Sequence, residues 1–479
     1  MERDIKVNQL NVKTLAKVIC KLLLLLQFSP IGYAYLTSQT VQIIHGMRPS
    51  LSTEIENNID DLDLFGLNVD DLNYYGSEVD TIPLQTSYPF KDKFKIAPIK
   101  QPNENQYYDN DGDQLDFLSA KDKINMTWYY TNAKNQLVEF IPTATDTFCS
   151  LSQKGMYSPY KVKLTADLLL FSKFGIPDDN EYPNDTFITQ PSKMYTVLED
   201  TGFCYAKPEL TPSTAANSAK NQWNKNFGFL IQSNVDLDKN FPTTGFYGAK
   251  FDLLLAQNGL ANNYDWSVKQ GSELATITHN NDIVTVYLNT PIARDSKQAW
   301  QYVEALGSDG FTIIIEGKNK NTHKSIRYGF KIKKWYEAWK QAQDSKGNVI
   351  GVRDTAEAVA AECRNKPGNY RITEPKELSN APYGNRAGSS DYTREIGSLF
   401  GEWGDPSQDK YPGSYGPAKN QSNIFSRWYV WDPEAIDAHT HQPGTFCDMH
   451  TYNAKYHCRA NENEDKNGVC VSIPPGQEW

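Results

Sequence analysis

Residues 444–473 read GTFCDMHTYNAKYHCRANENEDKNGVCVSI and place three cysteines, Cys447, Cys458 and Cys470, near the last residue of the sequence. The chain of 479 residues contains only 7 cysteines in all. Such a concentration of thiols predicts a covalently braced module in this part of the chain. The other cysteines are Cys20, Cys149, Cys204 and Cys363.

The amino-terminal stretch KTLAKVICKLLLLLQFSPIGYAYLT, residues 13–37, is typical of a secretory signal peptide. A lysine-rich region precedes an apolar stretch, and Gly32 and Ala34 occupy the two small-residue positions that signal peptidase reads. The apolar stretch is too short to span a bilayer, which needs about 20 apolar residues. We therefore expect export with cleavage after Ala34, and no membrane-spanning segment in the mature chain.

Export changes the interpretation of the cysteines, because Cys20 leaves with the signal peptide and six cysteines remain in an oxidising compartment. An even number there favours disulfides over buried free thiols. A bridge between Cys149 and Cys204 would tie the two ends of the β-rich region that contains them.

Cys363 is the fourth cysteine of the carboxyl-terminal group and lies on the predicted helix of residues 355–363. Four cysteines allow three pairings. The nested pairing joins Cys363 to Cys470 and Cys447 to Cys458. It would hold a helix against the last strand and close one hairpin.

The composition is that of a folded, multidomain chain, with 22% charged and 12% aromatic residues and a formal net charge of -10. A length of 479 residues predicts about three domains. No dense block of Lys and Arg follows the first 21 residues, so nucleic acid is not an expected partner.

Short β-prone runs separated by turn formers predict antiparallel sheets over most of the chain. Examples are YKVKLTADLLLF at 160–171 and FGFLIQS at 227–233. Residues 241–336 contain successive strand candidates over the length of one immunoglobulin-like sandwich. From about residue 339, the helix candidates at 354–365 and 392–404 precede three strand candidates, which indicates an α+β module.

Four motifs in this last region resemble the C-terminal lectin-like modules of enterobacterial adhesins of the invasin and intimin type. The two bridges and two helices also resemble the C-type lectin-like fold, which implies the nested disulfide pairing. The motifs are AAECRNKPGNYRITEPKEL (360–378), TREIGSLFGEWGD (393–405), RWYVW (427–431) and NGVCVSI (467–473).

The resemblance extends upstream through two further modules. FPTTGFYGAKFDLLLAQNG (241–259) and YDWSV (264–268) are similar to the bacterial Ig-like domain that precedes those lectin-like modules. KVKLTADLLLFSKFGIPDDNEYPN (161–184) and YDNDGDQLDF (108–117) are similar to the invasin adhesion domain. Three modules in this order make the resemblance specific.

The resemblance implies a mainly β multidomain protein. Its expected parts are a signal peptide (1–34), a β-sandwich adhesion domain (35–235), a bacterial Ig-like β-sandwich (236–338) and an α+β C-type lectin-like domain (339–479). Adhesins of this type usually begin with a peptidoglycan-binding segment and an outer-membrane β-barrel. We expect this chain to lack them and to correspond to the receptor-facing part, secreted or held at the cell surface.

The expected function is that of an exported Gram-negative adhesin and virulence factor, without catalysis, that binds a protein or glycan on a host or neighbouring cell. If its two distal domains share a large apolar interface, they form a rigid rod, and preorganisation then favours binding. The alternatives are a secreted metal-dependent hydrolase and a calcium-dependent sugar-binding lectin. The sequence contains no glycine-flanked nucleophile serine, zinc-protease helix or phosphate loop.

Alternating aspartates in DNDGD form a candidate Ca²⁺ site, because hard carboxylate oxygens at this spacing suit that ion. The loop is not an EF-hand, since Gln114 and Ala120 stand where that motif has Gly and Glu. A solvated acidic turn is the alternative interpretation. The candidate ligands are Asp109, Asp111, Asp113 and Asp116.

The last hundred residues also contain the candidate contact residues. Grouped histidines can bind Zn²⁺ or Cu²⁺, and the aromatic residues of RWYVW can pack in the core on one face and bind a partner on the other. Calcium-dependent sugar binding is not favoured, because QPG at 442–444 lacks the acidic residue of the sugar-binding tripeptides. The candidate binding residues are Trp428, Tyr429, Trp431, His439 and His441.

Overall fold

The computed structural model describes residues 46–477 apart from several short segments, and the predicted signal peptide and Ala34 lie outside the described residues. Most of the regular structure is antiparallel β-sheet, so the predicted mainly β multidomain fold is confirmed. No helix in the described part has the length and hydropathy needed to cross a bilayer. The omitted segments are 211–220, 257–259, 282, 305–306, 341, 344, 346–348, 351, 382–391, 408–409, 413, 415–426, 438–441, 452 and 459–464.

The N-terminal module, residues 46–198, has a core built by alternating strands. Along Tyr157–Thr165, the side chains of Tyr160, Val162 and Leu164 are fully buried, while their neighbours are half-buried. This strand lies inside a four-stranded antiparallel sheet. The strands are Ser50–Leu51, Gly66–Val69, Leu72–Tyr75, Phe94–Ile96, Tyr107–Tyr108, Leu115–Ala120, Asn125–Thr131, Leu137–Phe140, Tyr157–Thr165, Leu168–Ser172, Asp179–Tyr182 and Ser192–Leu198, and the α-helices are Thr53–Asn57 and Phe148–Gln153.

The central module, residues 203–338, is a sandwich of a six-stranded and a three-stranded sheet. Their inner faces meet in the core, where the rings of Phe251 and Phe330 lie 5.6 Å apart. Its strands are Phe203–Lys207, Trp223–Asn224, Gly228–Leu230, Thr244–Phe246, Ala249–Leu255, Tyr264–Gln270, Thr276–His279, Ile283–Leu288, Phe311–Asn319, Ser325–Ile332 and Lys334–Ala338, and its α-helices are Pro291–Arg294 and Ser296–Glu304.

The division between the first two modules differs from the boundary expected at residue 235. Strand Phe203–Lys207 pairs with Ala249–Leu255 and with Gly228–Leu230, so it belongs to the central sandwich. The buried side chains of the N-terminal core run from Leu51 to Val197, and those of the next core begin at Phe203. The β-prone runs on both sides of residue 200 are alike in composition, so the sequence pattern does not reveal the change of module.

The C-terminal module follows from residue 339 and combines short helices with strands, as the α+β prediction requires. Thr355 caps its longest helix, since the Thr355 hydroxyl accepts a hydrogen bond from the Ala358 amide. The α-helices are Ala356–Asn365, Pro375–Leu378 and Leu399–Trp403, and the strands are Ala342–Gln343, Val349–Ile350, Tyr370–Ile372, Arg427–Ile436, Pro443–His450, Tyr456–His457 and Asn467–Ser472.

The central and C-terminal modules share one sheet and one hydrophobic core. Strand Thr244–Phe246 lies parallel to Lys334–Ala338, which pairs with the last strand, Asn467–Ser472. Buried side chains from Phe203 to Val471 form one continuous cluster. The expected boundary at residue 338 therefore crosses a continuous core, and the two modules pack as one unit.

The three disulfides join the pairs that the sequence analysis predicts, with Cα atoms 5.7, 5.4 and 4.4 Å apart. The second bridge fastens helix Ala356–Asn365 to the last strand, and the third closes the loop that follows Pro443–His450. The bridges are Cys149–Cys204, Cys363–Cys470 and Cys447–Cys458.

From the sequence we expect the Cys149–Cys204 bridge to tie the two ends of one β-rich region, but the bridge connects two modules. It joins helix Phe148–Gln153 of the N-terminal module to the first strand of the central module. Hydrogen bonds surround it, since the Ser87 hydroxyl donates to the Cys204 carbonyl (2.6 Å) and Asn234 donates to the Leu84 carbonyl (3.0 Å). Both cysteines are buried, so the bridge is a buried covalent link between the two modules.

Replacement of both Cys149 and Cys204 by Ser is expected to uncouple the N-terminal module from the rest. In the chain-entropy model the bridge, with a sequence separation of 55, contributes about 4 kcal/mol of stability. Calorimetry of the double variant is expected to show an earlier transition for the N-terminal module, and limited proteolysis is expected to cut within 199–202. An unchanged melting profile and an unchanged digest would contradict this role for the bridge.

Candidate functional site

The junction between the central and C-terminal modules is formed by residues 241–244 of the central module and the motif SLFGEWG, residues 398–404, of the C-terminal module. The motif folds as the short helix Leu399–Trp403, and all five of its residues are buried. Gly404 ends the helix with a positive φ of 74°, a conformation that glycine adopts without strain. Because the helix ends at Gly404, the side chains of Glu402 and Trp403 both contact the central module.

The Glu402 carboxylate is fully buried and accepts hydrogen bonds from donors on both modules. The amide and hydroxyl of Thr243 donate at 2.9 and 2.6 Å, and the amide of Thr244 donates at 2.9 Å. On its own module, the amide of Gly397 donates at 3.0 Å. Burial raises the pKa of Glu402, and the hydrogen bonds from the two threonines oppose that shift.

The Trp403 ring fills the space beside this carboxylate with aromatic contacts across the junction. Its centroid lies 4.9 Å from that of Phe241 and 5.3 Å from that of Phe246, both in the central module. Its indole nitrogen donates to the Thr244 carbonyl at 3.1 Å. The ring is therefore both packed and hydrogen-bonded, as a buried tryptophan requires.

The buried Arg394 side chain adds a second cross-module contact. Its guanidinium lies 4.2 Å from the ring centroid of Trp223, a residue of the central module, in a cation–π arrangement. A guanidinium nitrogen also donates to the Glu402 carbonyl at 2.8 Å. Arg394 thus links helix Leu399–Trp403 to the outer strand of the six-stranded sheet.

Glu377 is a second buried carboxylate, and it forms ion pairs with cations from both modules. Arg371 donates to both of its oxygens at 2.8 Å, and Lys334 of the central module lies 2.5 Å away. Burial on its own raises the pKa of Glu377, but Arg371 and Lys334 outweigh it and hold the pKa below the usual range. The carboxylate is therefore ionised and paired, which fixes strand Tyr370–Ile372 against the junction.

The predicted aromatic residues lie within a pair of adjacent antiparallel strands of the shared sheet, which we call the distal ribbon. It consists of Arg427–Ile436 and Pro443–His450. Trp428 and Tyr429 are only 1% and 8% exposed, so they belong to the core. Trp431 is half-buried and packs against Phe446, with ring centroids 5.0 Å apart.

The ribbon is most exposed where its two strands leave the sheet. Ile436 pairs with Pro443 there, and its side chain is 59% exposed. Of the predicted contact residues, Trp431 is the one that the structure leaves partly accessible on this ribbon, while His439 and His441 lie outside the described residues. The sequence pattern did not single out Ile436.

The metal site considered from the grouped histidines stays a prediction, because His439 and His441 lie outside the described residues. His450 and His457 lie beside each other, with ring centroids 5.5 Å apart, and both are buried. Cys447 and Cys458 lie near Asp432, but the two sulfurs are bonded to each other and are not available as ligands.

Three of the four candidate calcium ligands come together in the N-terminal module. The carboxylates of Asp109, Asp111 and Asp113 lie within 4.8 Å of one another, whereas Asp116 is exposed on the following strand and is not in the group. The oxygen-only donor set is of the kind that Ca²⁺ prefers. Burial, together with the charges of Asp109 and Asp113, raises the pKa of the nearby Tyr107 to about 12. Calcium binding stays a prediction.

One known protein family matches part of the central module. Residues 224–330 match the family described as Invasin, domain 4. The match supports an invasin-like adhesin with an Ig-like module, and we call this range the invasin-like segment. The comparisons with curated proteins and with solved structures found no significant match.

The invasin-like segment contains one half of the junction. Thr243 and Thr244 lie in FPTTGF, and Glu402 lies in SLFGEWG, so two motifs that carry the family resemblance contact each other. The sequence pattern of the two motifs does not indicate this contact. A buried acidic residue inside an otherwise apolar helix motif is the feature that could have indicated a hydrogen-bonded junction.

Replacement of Glu402 by Ala is expected to destabilise the protein by about 3 kcal/mol or more, because several buried donors lose their acceptor. Urea denaturation followed by tryptophan fluorescence measures the change. Replacement of the exposed Glu357 by Ala is the matched control and is expected to stay within about 0.5 kcal/mol of the wild type. Equal effects of the two substitutions would show that the Glu402 contacts contribute nothing.

Glu377 is expected to make the protein less stable in acid. Its pKa in the folded protein lies below the ordinary value of 4.5, so the unfolded chain binds its proton first as the pH falls. The stability that Glu377 contributes is fully present above its ordinary pKa. It is lost as the pH falls through the lower pKa that Glu377 has in the folded protein. Unfolding free energies measured from about pH 6 to about pH 3 should therefore fall more steeply for the wild type than for Glu377→Gln. Parallel profiles would contradict the paired, ionised state of Glu377.

Proposed function

We propose that this chain is an exported, non-enzymatic adhesin of the invasin and intimin type. It binds a protein or glycan on the surface of a host or neighbouring cell through its C-terminal, lectin-like module. The N-terminal module corresponds to the adhesion domain, and the central module is the Ig-like support. The mature protein is secreted or held at the bacterial surface.

The observation that carries this proposal is the match of residues 224–330 to Invasin, domain 4, in the module on which the C-terminal module is built. That match indicates an adhesin-type role. The resemblance of residues 360–473 to lectin-like adhesin modules then makes the C-terminal module the natural receptor-binding part. The disulfides Cys363–Cys470 and Cys447–Cys458 agree with the pairing that this resemblance implies.

The junction supports the same role on physical grounds. Glu402, Trp403 and Arg394 connect the C-terminal module to the central one through buried contacts, and a sheet continues across both modules. A binding module held this way loses little orientational freedom when it engages a receptor, so more of the contact energy appears as affinity.

The distal ribbon is our candidate for the receptor-contact surface. It presents the exposed residues Ile436 and Pro443 and, further along the strands, the partly exposed Trp431–Phe446 pair. Aromatic and aliphatic side chains that are exposed on a stable scaffold are the kind that form the energetic centre of protein interfaces. The Cys447–Cys458 bridge holds the second strand of this ribbon in place.

Replacement of Ile436 by Ser is expected to weaken saturable binding of the purified mature protein to epithelial cells by about tenfold, the effect of one hot-spot side chain. Binding is measured with labelled protein over a concentration series. The matched control is Val235→Ser, which removes another exposed hydrophobic side chain (81% exposed) from the central module.

The two variants should differ in binding but not in stability. Both should melt at the wild-type temperature, because neither side chain is buried. Absence of saturable binding to epithelial cells and to matrix components by the wild-type protein would overturn the adhesin role. Equal loss in both variants would leave the distal ribbon without support as the contact surface.

A further inference from the structure

Positive charge is concentrated in one segment of this acidic protein. The formal net charge of the chain is -10, but residues 311–340 contain eight Lys or Arg and only two Glu. Most of this segment forms the strands Phe311–Asn319 and Ser325–Ile332 of the three-stranded sheet of the central module. The charges are therefore held on a rigid element.

The alternation of the strands directs these charges outward. Ile313, Ile315 and Phe330 are fully buried in the sandwich core. Residues of opposite parity, such as Lys318 and Arg327, therefore lie on the outer face of the sheet. We call the outer surface of this sheet, with its adjoining turns, the basic face. Its cations are Lys269, Lys318, Lys320, Lys324, Arg327, Lys331 and Lys333.

Acidic residues on the basic face are fewer than the cations that surround them. Glu316 lies 3.9 Å from Lys269 and 2.5 Å from Arg327, so one carboxylate is shared by two cations. Asp238 is shared in the same way by Lys331 and Lys333, at 3.4 and 3.0 Å.

The remaining cations lie around the turn between the two strands. Lys320 lies 3.8 Å from Asp265, and Lys324 lies 3.4 Å from Glu199. Lys318 is exposed and forms no ion pair with a residue that the structure describes. Such exposed ion pairs are weak, so these lysines can exchange their carboxylate partners for an external anion.

The dimensions of the basic face fit an extended ligand. A strand advances roughly 3.3 Å per residue, so Lys324 and Lys333 at the two ends of the row are separated by about 30 Å. A row of that length exceeds what a single small anion can cover. Lysine is a compact point charge suited to sulfate and phosphate groups without a fixed orientation.

We propose that the basic face binds a linear sulfated polysaccharide. Regular sulfates along such a chain match a row of cations, whereas a membrane surface is engaged through apolar side chains together with charge. Within the described residues of the three strands, no large hydrophobic side chain is largely exposed. This interaction is independent of the receptor contact of the distal ribbon, so either can fail without the other.

Charged residues on an edge strand also serve a second role, and the control must distinguish that role from polyanion binding. Ser325–Ile332 is an edge of its sheet, and charged side chains there prevent pairing with other chains. Protection of the edge predicts no affinity for a polyanion beyond the effect of net charge. The test must therefore remove the same charge from another surface of the same protein.

The experiment measures binding of the purified mature protein to heparin over a series of NaCl concentrations. The test variant combines Lys318→Gln, Lys320→Gln and Lys324→Gln, and the control variant combines Lys91→Gln, Lys123→Gln and Lys134→Gln, three exposed lysines of the N-terminal module. Each lysine beside a polyanionic surface contributes about fivefold in affinity, so the test variant should bind on the order of 100-fold more weakly. The control variant should bind like the wild type, with a similar salt dependence.

Uncharged dextran and vesicles of anionic phospholipid are the comparison ligands. Circular dichroism and melting temperature are measured to test whether both variants are folded. Failure of the wild type to bind heparin more tightly than dextran would overturn the proposal. Equal weakening in the two variants, or binding to the vesicles without binding to heparin, would also overturn it.

Discussion

The buried carboxylate of Glu402 is the constraint on which the arrangement of the distal part depends. A carboxylate removed from water is costly unless its lone pairs are satisfied, and its partners here belong to another module. Thr243 precedes Glu402 by 159 residues, yet its amide and hydroxyl both donate to it. The helix that contains Glu402 is therefore complete only when the central sandwich has formed and docked against it. One hydrogen-bonded site thus couples two modules that the sequence presents as successive domains.

Covalent links and shared strands extend this coupling to the remainder of the chain. The bridge Cys363–Cys470 joins the longest helix of the C-terminal module to the last strand, and that strand lies in the sheet that continues into the central module. The bridge Cys149–Cys204 connects the N-terminal core to the central one. Packing is continuous across the junction with the C-terminal module, whereas the N-terminal module has a separate core. The N-terminal connection therefore relies more on its disulfide and on the surrounding hydrogen bonds.

Sequence reasoning predicted the features that local patterns encode. Short β-prone runs and turn formers indicated the mainly β fold, and an even number of exported cysteines indicated disulfides. The contact between Glu402 and Thr243 was not predictable in this way, because no local period relates residues so far apart. The boundary near residue 200 was missed because the strands on both sides have the same composition. RWYVW was only partly interpretable: Trp428, Tyr429 and Val430 are buried in succession, which happens when a strand is covered on both faces and loses its alternation.

The most direct test of the coupled distal unit is native-state hydrogen exchange at the amides of Thr243 and Thr244. These two amides donate to Glu402 across the junction, so they are protected only while the central and C-terminal modules remain docked. We predict that they exchange with the same opening free energy as the amides of the central core strand Ala249–Leu255 and of the last strand, which means only by unfolding of the whole unit. Exchange of Thr243 and Thr244 at a distinctly lower opening free energy, with both core strands still protected, would contradict the account. It would show that the two modules separate while each stays folded.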